Sequence, residues 1–393
     1  MTDGQTLLLL IALLYLSECF IWVRKQSVAF ISRWGGAWRA ASPTSSMGNA
    51  KGRALFVNPF PMLGGIFVTH LSPISISPIG ICSSNLQTLP WVSRARQQPN
   101  RFLPFSNVTD CIADGVYLVI NKERFAKCAS PKQAKELSNR INVLAAASPS
   151  DREQLVRAHT AKHFAADQAA STLAEAEVLI GPIRLICSLL FMFLFAATPI
   201  LVITFGLLRL LIAVGAVLIV LAIQISIMFY RAHKRLYPDE KQKRIEGVVK
   251  MVLCPPVSIR ATTELTRDLL SEYSPIVVAT LIPGPNLAEF VRSFVLDLQY
   301  PLKHDASDSA AEETMRWATT DQLSASIEYL ELSTFGPPTA LLAPPERTGS
   351  SVSYCPRCGC QFLISDGRCP DCPGVCLVTF PNQTEHAFEG SHD

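Results

Sequence analysis

Four cysteines near the C-terminus have the spacing of a tetrahedral metal site. Cys355 and Cys358 form one C-x-x-C pair, Cys369 and Cys372 form a second, and ten residues separate the two pairs. Two such pairs can place four thiolates around one ion, and four cysteines are a common ligand set for structural Zn²⁺. The sequence therefore predicts a structural zinc site with these four ligands. A redox-active dithiol is the alternative.

The residues around the two pairs add detail to this prediction. Gly359 suits a tight turn at the first pair, whereas Pro373 directly follows the second pair and has no backbone N–H to donate. Cys360 and Cys376 are spare thiols, and either could replace a ligand or make the site redox-sensitive. The segments YCPRCGCQF and GRCPDCPG resemble the rubredoxin-like and zinc-ribbon class over residues 354–380. That resemblance implies a small rigid hairpin that contacts a protein or a nucleic acid.

Other chemically capable residues are scattered. His159, His163 and Asp167 lie at i, i+4 and i+8 of a predicted helix, which is one face, but a solvated helical face explains them more simply than a metal site. Glu18 and Arg209 are charges within apolar stretches, and intramembrane charges are candidate functional groups. The sequence contains no phosphate-binding loop, dinucleotide fingerprint or hydrolase motif, so it predicts no class of enzyme.

The elements that must position these residues include membrane spans. Apolar residues make up 49% of the 393-residue chain and charged residues 17%, a balance that favours a few spans joined to water-exposed parts. Residues 7–23 form a run of seventeen residues at the short end of the span range, which predicts an uncleaved anchor. Residues 183–230 predict a helical hairpin that turns at 206–209, with a kink at Pro199.

Loop charge predicts the orientation of these spans. Residues 24–53 contain six Lys or Arg and no acid, and residues 231–250 contain seven Lys or Arg. The positive-inside rule then places the N-terminus outside and residues 24–182 and 231–393 in the cytoplasm. A zinc thiolate site independently favours a reducing compartment for the C-terminus.

Residues 53–147 predict a β-rich domain closed by a helix. Asp114-Gly115 and Asn121-Lys122 are turn signals that divide a three-stranded meander. Ser130-Pro131 then starts a helix, whose apolar positions recur at helical spacing: Ala134, Leu137, Ile141 and Leu144. The stretch from 101 to 141, RFLPFSNVTDCIADGVYLVINKERFAKCASPKQAKELSNRI, resembles the last strands and C-terminal helix of the pleckstrin-homology-like superfold. That resemblance implies docking of lipid or protein.

The remaining segments are connectors. Ser150 and Glu153 have the form of a capping box that opens a helix over 148–181, with Gly181-Pro182 breaking it before the hairpin. Residues 24–52 predict a basic juxtamembrane linker, and residues 231–332 a basic and then helical region. Residues 333–353 are rich in Pro, Ser and Gly and predict a flexible linker.

Together these predictions describe a multi-domain α+β membrane protein with three transmembrane helices, a β-rich cytosolic domain and a C-terminal zinc ribbon. The layout resembles bacterial inner-membrane proteins of uncharacterised function. The favoured function is a membrane-anchored cytosolic adaptor or regulator, rather than an enzyme, whose partners are the lipid bilayer and a protein bound by the ribbon. A membrane enzyme or transporter component, with Glu18, His159 and Arg209 as candidate functional residues, and a membrane-tethered nucleic-acid-binding protein are the alternatives.

Overall fold

Helices dominate the fold, with small antiparallel sheets among them. The computed structural model describes the following residues: 6, 9–10, 13, 20–23, 28–32, 36–39, 53–56, 66–69, 74–83, 101–128, 131–205, 207–266, 269–282, 287–304, 309–333, 343–370, 372 and 375–380.

The strands are short and pair only antiparallel within the described residues. They are β1 (Phe20–Val23), β2 (Val28–Ser32), β3 (Gly36–Arg39), β4 (Arg53–Phe56), β5 (Ile66–Thr69), β6 (Ile74–Ile76), β7 (Gly80–Ser83), β8 (Arg101–Pro104), β9 (Cys111–Asp114), β10 (Tyr117–Ile120), β11 (Glu123–Lys127), β12 (Ser353–Tyr354), β13 (Gln361–Phe362) and β14 (Val378–Thr379). The sheet orders are β1-β4, β3-β2-β5, β6-β7-β8, β11-β10-β9 and β13-β12-β14.

The helices carry most of the buried apolar surface. They are α1 (Pro131–Ala146), α2 (Pro149–Lys162), α3 (Ala166–Met192), α4 (Thr198–Phe205), α5 (Leu207–Leu236), α6 (Lys241–Leu253), α7 (Ala261–Thr266), α8 (Pro275–Leu281), α9 (Leu287–His304) and α10 (Ala310–Leu332). A π-helical turn, Phe193–Ala197, joins α3 to α4, and a 3₁₀ segment, Pro255–Arg260, precedes α7.

The predicted meander and its closing helix are present. β9 and β10 meet at a turn where Gly115 has a φ of +58°, and β10 and β11 meet at Asn121-Lys122, whose φ angles are both positive. Helix α1 is fixed to β9 because Ser138 Oγ and Asn142 Nδ2 both donate to the Cys111 carbonyl, at 2.7 and 2.8 Å. The four predicted apolar positions of this helix are buried in the core: Ala134, Leu137, Ile141 and Leu144.

The predicted first span differs from the structure. Phe20–Val23, its last four residues, form β1 and pair with Arg53–Phe56. Most of residues 7–19, the rest of the predicted span, lie outside the described residues. Aromatic and β-branched residues such as Phe, Ile, Trp and Val favour a strand once a partner strand is available. Residues 24–52, predicted as a linker, likewise contain β2 and β3.

The helix predicted over 148–181 also differs from the structure, at both ends and in the middle. Ser148, not Ser150, is the N-cap, and its Oγ accepts a hydrogen bond from the Asp151 N–H at 3.3 Å, with Pro149 in the first turn. The helix is interrupted between α2 and α3, at 163–165. Gly181-Pro182 does not break α3, which continues through Pro182 to Met192.

The predicted helical hairpin is present, as α3 to α4 and then α5. Two helical stretches, 149–197 and 212–236, are long and apolar enough to cross a membrane by length and composition. The π-helical turn precedes Pro199, and the Thr198 N–H donates to the Phe193 carbonyl there. Such turns accommodate an irregularity in the helical hydrogen-bond ladder, and Pro199 creates one by lacking an N–H.

A third helical layer connects the hairpin to the C-terminal residues. Helices α8, α9 and α10 share one buried cluster, to which Leu173 of α3 also belongs. The Thr280 and Tyr329 hydroxyls lie 2.6 Å apart and tie α8 to α10. This layer provides the surface on which the candidate metal centre lies.

Candidate metal centre

The four predicted cysteines come together in space. The Sγ atoms of Cys355, Cys358, Cys369 and Cys372 all lie within 4.8 Å of one another, and those of Cys358 and Cys369 are 3.7 Å apart. Four sulfurs at about 2.3 Å from a central ion would be about 3.8 Å from each other in a tetrahedron. The cluster therefore has the size that a metal ion requires, and these four side chains could hold one.

The first pair is held by a turn between β12 and β13. The Cys355 N–H donates to the Cys360 carbonyl at 2.8 Å, and the Gly359 N–H donates to the Cys355 carbonyl at 2.9 Å. Gly359 has a φ of +76°, a conformation that L side chains rarely adopt. The turn closes back onto Cys355 and brings Cys358 beside it, as the C-x-x-C-G sequence predicts.

The second pair is held by a related turn. The Cys369 N–H donates to the Val375 carbonyl at 2.9 Å, and the Val375 N–H donates to the Cys372 carbonyl at 3.0 Å. Arg368 pairs with Cys376 in an isolated antiparallel bridge next to this turn. Pro373 has no N–H to donate, but the Val375 N–H closes this turn by donating to the Cys372 carbonyl.

Burial and hydrogen bonding change the acidity of these thiols. Three of the four are at most 3% exposed: Cys355, Cys369 and Cys372. Hydrogen bonds from Cys358 and then Cys372 hold the pKa of Cys355 well below its usual range. The hydrogen bonds with Cys355 raise the pKa of Cys358 and Cys372. A bound cation would favour the thiolate form of all four cysteines, since uncompensated buried charge is strongly unfavourable.

The two spare thiols lie outside the cluster. Cys360 and Cys376 are both exposed, and neither belongs to the group of four sulfurs that could share an ion. Cys360 contributes its backbone carbonyl to the first turn instead. Within the described residues, the sulfurs close enough together to share an ion are therefore those of the two C-x-x-C pairs.

The metal centre packs against helix α9, a contact that the sequence did not predict. Tyr300 of α9 packs on the buried cysteine cluster. Arg357, which lies between the first two cysteines, is 3% exposed, and its Cζ lies 5.7 Å from the centroid of the Tyr300 ring. A Cβ built on Gly359 would lie 3.8 Å from Leu296 Cδ1, in ordinary van der Waals contact. Nothing local to the C-x-x-C pairs signals this packing, because its partners are distant in sequence.

Part of the linker predicted over 333–353 is bonded to its surroundings. From Ala343 onwards the chain belongs to the metal-binding unit: the Gln361 side chain accepts from the Thr348 N–H at 2.9 Å and donates to the Glu346 carbonyl at 2.7 Å. Arg292 of α9 donates to the Ala343 carbonyl. These bonds attach the second half of the predicted linker to the rest of the protein.

The His159 pair is a structural contact. The Nε2 atoms of His159 and His163 lie 3.1 Å apart, while Asp167 is exposed and belongs to no metal-sized cluster in the described residues. His163 Nδ1 is bonded to the Glu272 carbonyl, so the pair fixes the break between α2 and α3 to the turn before α8. Burial, with Arg140 nearby, lowers the pKa of His159 to about 2, which keeps the ring neutral.

Two candidate functional residues were predicted from charges within apolar stretches. Glu18 and the side chain of Arg209 lie outside the described residues. Within those that are described, the cysteine cluster is the one group of at least three Cys, His or acidic residues close enough to hold a metal ion.

Comparison with known proteins adds no relative. No protein-family model matches the chain, and no significant match is found among curated proteins or solved structures. The resemblances of 354–380 to zinc ribbons and of 53–147 to the pleckstrin-homology-like superfold therefore stay predictions that depend on the residues themselves.

Proposed function

We propose that this protein is a membrane-anchored cytoplasmic adaptor whose C-terminal unit is a structural zinc ribbon that recruits a protein partner. The observation that carries the proposal is the compact cluster of four cysteines, two C-x-x-C pairs held by turns beside short antiparallel strands. Cysteine thiolates in a tetrahedron select Zn²⁺ among abundant divalent ions. Four protein ligands leave no open coordination position for a substrate, so the ion here would stabilise the fold.

The hairpin supplies the anchor. Its outward side chains are apolar and exposed in the isolated chain: Leu185, Leu189, Met192, Ile200, Ile212, Ile219, Val220, Ile223 and Ile227. An exposed apolar belt of this extent would be unfavourable in water and suits lipid chains. The basic residues of 231–250 follow directly, which favours the cytoplasmic side of a bacterial inner membrane for both flanks of the hairpin.

An apolar pair on the ribbon offers a surface for the partner. Leu363 and Ile364 follow β13 and are 72% and 55% exposed. They are held in place, since Ser353 Oγ donates to the Ile364 carbonyl at 2.6 Å, and a Cβ built on Gly367 would lie 3.1 Å from Ile364 Cδ1. A rigid, exposed apolar pair among polar neighbours is typical of a protein-binding position.

The test is affinity purification of the detergent-solubilised full chain, with co-purifying molecules identified by mass spectrometry. The Leu363→Ser/Ile364→Ser variant should keep its metal and lose a protein that the intact chain retains, and Cys355→Ser/Cys358→Ser should lose both. Leu332→Ser is the matched control, because Leu332 is 86% exposed and belongs to α10, not to the ribbon. An identical set of co-purifying proteins for the intact chain and Leu363→Ser/Ile364→Ser would contradict recruitment by this surface. Nucleic acid lost in the Cys variant would favour the nucleic-acid-binding alternative.

A further inference from the structure

Helix α6 has an apolar stripe that no other described element covers. Ile245, Val249, Val252 and Leu253 are 46%, 47%, 47% and 80% exposed. They recur at i, i+4, i+7 and i+8, so they lie along one side of the helix. Three of the five charged residues of α6 lie in its first turn, at Lys241, Lys243 and Arg244, and the other two are Glu246 and Lys250.

Helix α6 packs antiparallel to α5, and this direction determines which part of α5 lies beside the end of α6. The chain reverses after Tyr237, whose carbonyl accepts from the Glu240 N–H at 3.3 Å. Arg244 then lies over the Tyr230 ring, with its Cζ 5.4 Å from the ring centroid. Gly247 lies against Phe229, so closely that a built Cβ would be 2.8 Å from the ring. As α6 advances, it therefore passes α5 residues of decreasing number.

This direction carries the end of α6 past the level of Tyr230, where the apolar stretch of the hairpin ends. Leu253 lies six residues beyond Gly247, which is about 9 Å along the axis at roughly 1.5 Å per residue. On α5 the same distance leads from Phe229 to the level of Ile223, an exposed member of the hairpin belt. The stripe on α6 is thus continuous with the surface that faces lipid in the proposed anchor.

Backbone groups on the return from this depth are hydrogen-bonded, whereas the buried Nε and Nη1 of Arg260 have no partner among the described residues. The Cys254 N–H donates to the Lys250 carbonyl at 3.0 Å, and the Val257 N–H donates to the Cys254 carbonyl at 2.9 Å. The Ser258 carbonyl accepts from the Cys187 thiol of α3 at 3.3 Å. Irregular backbone is tolerated at membrane depth where it is buried in protein in this way.

We propose that α6 and the following 3₁₀ segment form a re-entrant element that enters the leaflet in which α5 ends, with the Ile245–Leu253 stripe in contact with lipid acyl chains. The inference rests on the proposed membrane anchoring of the hairpin. The first-turn lysines then lie among the phosphates, and the long Lys250 side chain reaches back towards them. In this arrangement α6 covers one side of the hairpin within the membrane. Met251 of α6 belongs to the buried cluster that the hairpin helices share.

The test compares the alkylation of single introduced cysteines in the full-length protein in lipid nanodiscs of phosphatidylethanolamine and phosphatidylglycerol. The reagent is a membrane-impermeant sulfonated maleimide, and labelling at each site is measured by peptide mass spectrometry. Leu253→Cys is compared with Leu363→Cys, a matched leucine on the ribbon, since the two leucines are 80% and 72% exposed in the structure. Val220→Cys, at a position 62% exposed in the middle of α5, reports on the hairpin.

The proposal expects Leu253→Cys to be labelled at least about tenfold more slowly than Leu363→Cys, with Val220→Cys equally protected. Val249→Cys, one turn earlier on the stripe, should be protected as well, which guards against a local effect of one substitution. Labelling of Leu253→Cys as fast as Leu363→Cys, with Val220→Cys still protected, would overturn the re-entrant element alone. Fast labelling of Val220→Cys would overturn the proposed anchor itself.

Discussion

Arg357 and Tyr300 join the candidate metal centre to the helical layer: the Arg357 Cζ lies 5.7 Å from the centroid of the Tyr300 ring, and Arg357 is 3% exposed. A guanidinium over an aromatic face is attracted by the ring quadrupole, and more strongly when water is excluded. A residue between the first two cysteines is therefore one of the contacts of the metal-binding unit with α9. Any partner of the proposed ribbon would then contact a unit that packs on α9.

Removing the Tyr300 ring should loosen this packing. Tyr300→Ala removes a cation–π contact of about 0.5–2 kcal/mol, so backbone amides of 343–362 should exchange hydrogen several-fold faster by mass spectrometry. Tyr300→Phe retains the ring and should stay closer to the intact protein than Tyr300→Ala. Equal exchange in the Ala variant and the intact protein would show that the contact does not hold the ribbon.

The turn between β10 and β11 should accept glycine at Lys122 but not at the preceding residue, Asn121. Lys122 has a φ of +68°, so Lys122→Gly should relieve strain and stabilise the hairpin by about 1 kcal/mol. Asn121→Gly should instead destabilise it, because Asn121 Oδ1 accepts from the Thr109 N–H at 2.9 Å and Nδ2 donates to the Asn107 carbonyl at 2.6 Å. Hydrogen exchange over 111–127 measures both, and a stabilising Asn121→Gly would refute the role given to its side chain.

The stability of the closing helix α1 should depend on its buried face and not on its exposed face. Ile141 is fully buried and Val143 is 56% exposed on the same helix. Ile141→Ala should cost about 2–5 kcal/mol through lost burial and a cavity, whereas Val143→Ala should stay within about 0.5 kcal/mol. Hydrogen exchange of α1 under mild denaturant distinguishes the two. Similar losses in both variants would mean that α1 does not pack on the sheet through its Ile141 face.

Close packing between α5 and α6 should make a side chain at position 247 destabilising. In Gly247→Ala the new methyl group would meet the Phe229 ring at 2.8 Å, so we expect a loss of about 1–3 kcal/mol. Gly215→Ala is the control: a Cβ there has nothing within 4 Å, and alanine favours the helix. Thermal unfolding of the detergent-solubilised protein measures both, and Phe229→Leu should partly rescue Gly247→Ala. A Gly247→Ala variant as stable as Gly215→Ala would contradict the packing.

Local signals in the sequence predicted local structure. The C-x-x-C spacing and Gly359 predicted which cysteines meet, and Asp114-Gly115 predicted the β9–β10 turn. Both depend on backbone conformations that a few neighbouring residues determine. The burial of Ile141 and Leu144 also followed from helical periodicity alone.

Pairings between distant residues could not be predicted in this way. Phe20–Val23 reads as the end of an apolar helix until a partner strand, Arg53–Phe56, is known. Pro182 reads as a helix break, yet α3 continues through it, because packing of the surrounding residues in the hairpin core offsets one missing hydrogen bond. The contact of Arg357 with Tyr300 has no local signature at all.

The metal content of the purified full-length protein tests the central claim most directly. Inductively coupled plasma mass spectrometry of protein purified under reducing conditions should find one Zn²⁺ per chain. Cys369→Ser removes a buried member of the cluster and should lose the ion, whereas Cys376→Ser removes an exposed thiol outside the cluster and should retain it. Intact protein without zinc, or equal loss of zinc in both variants, would contradict the assignment of this site.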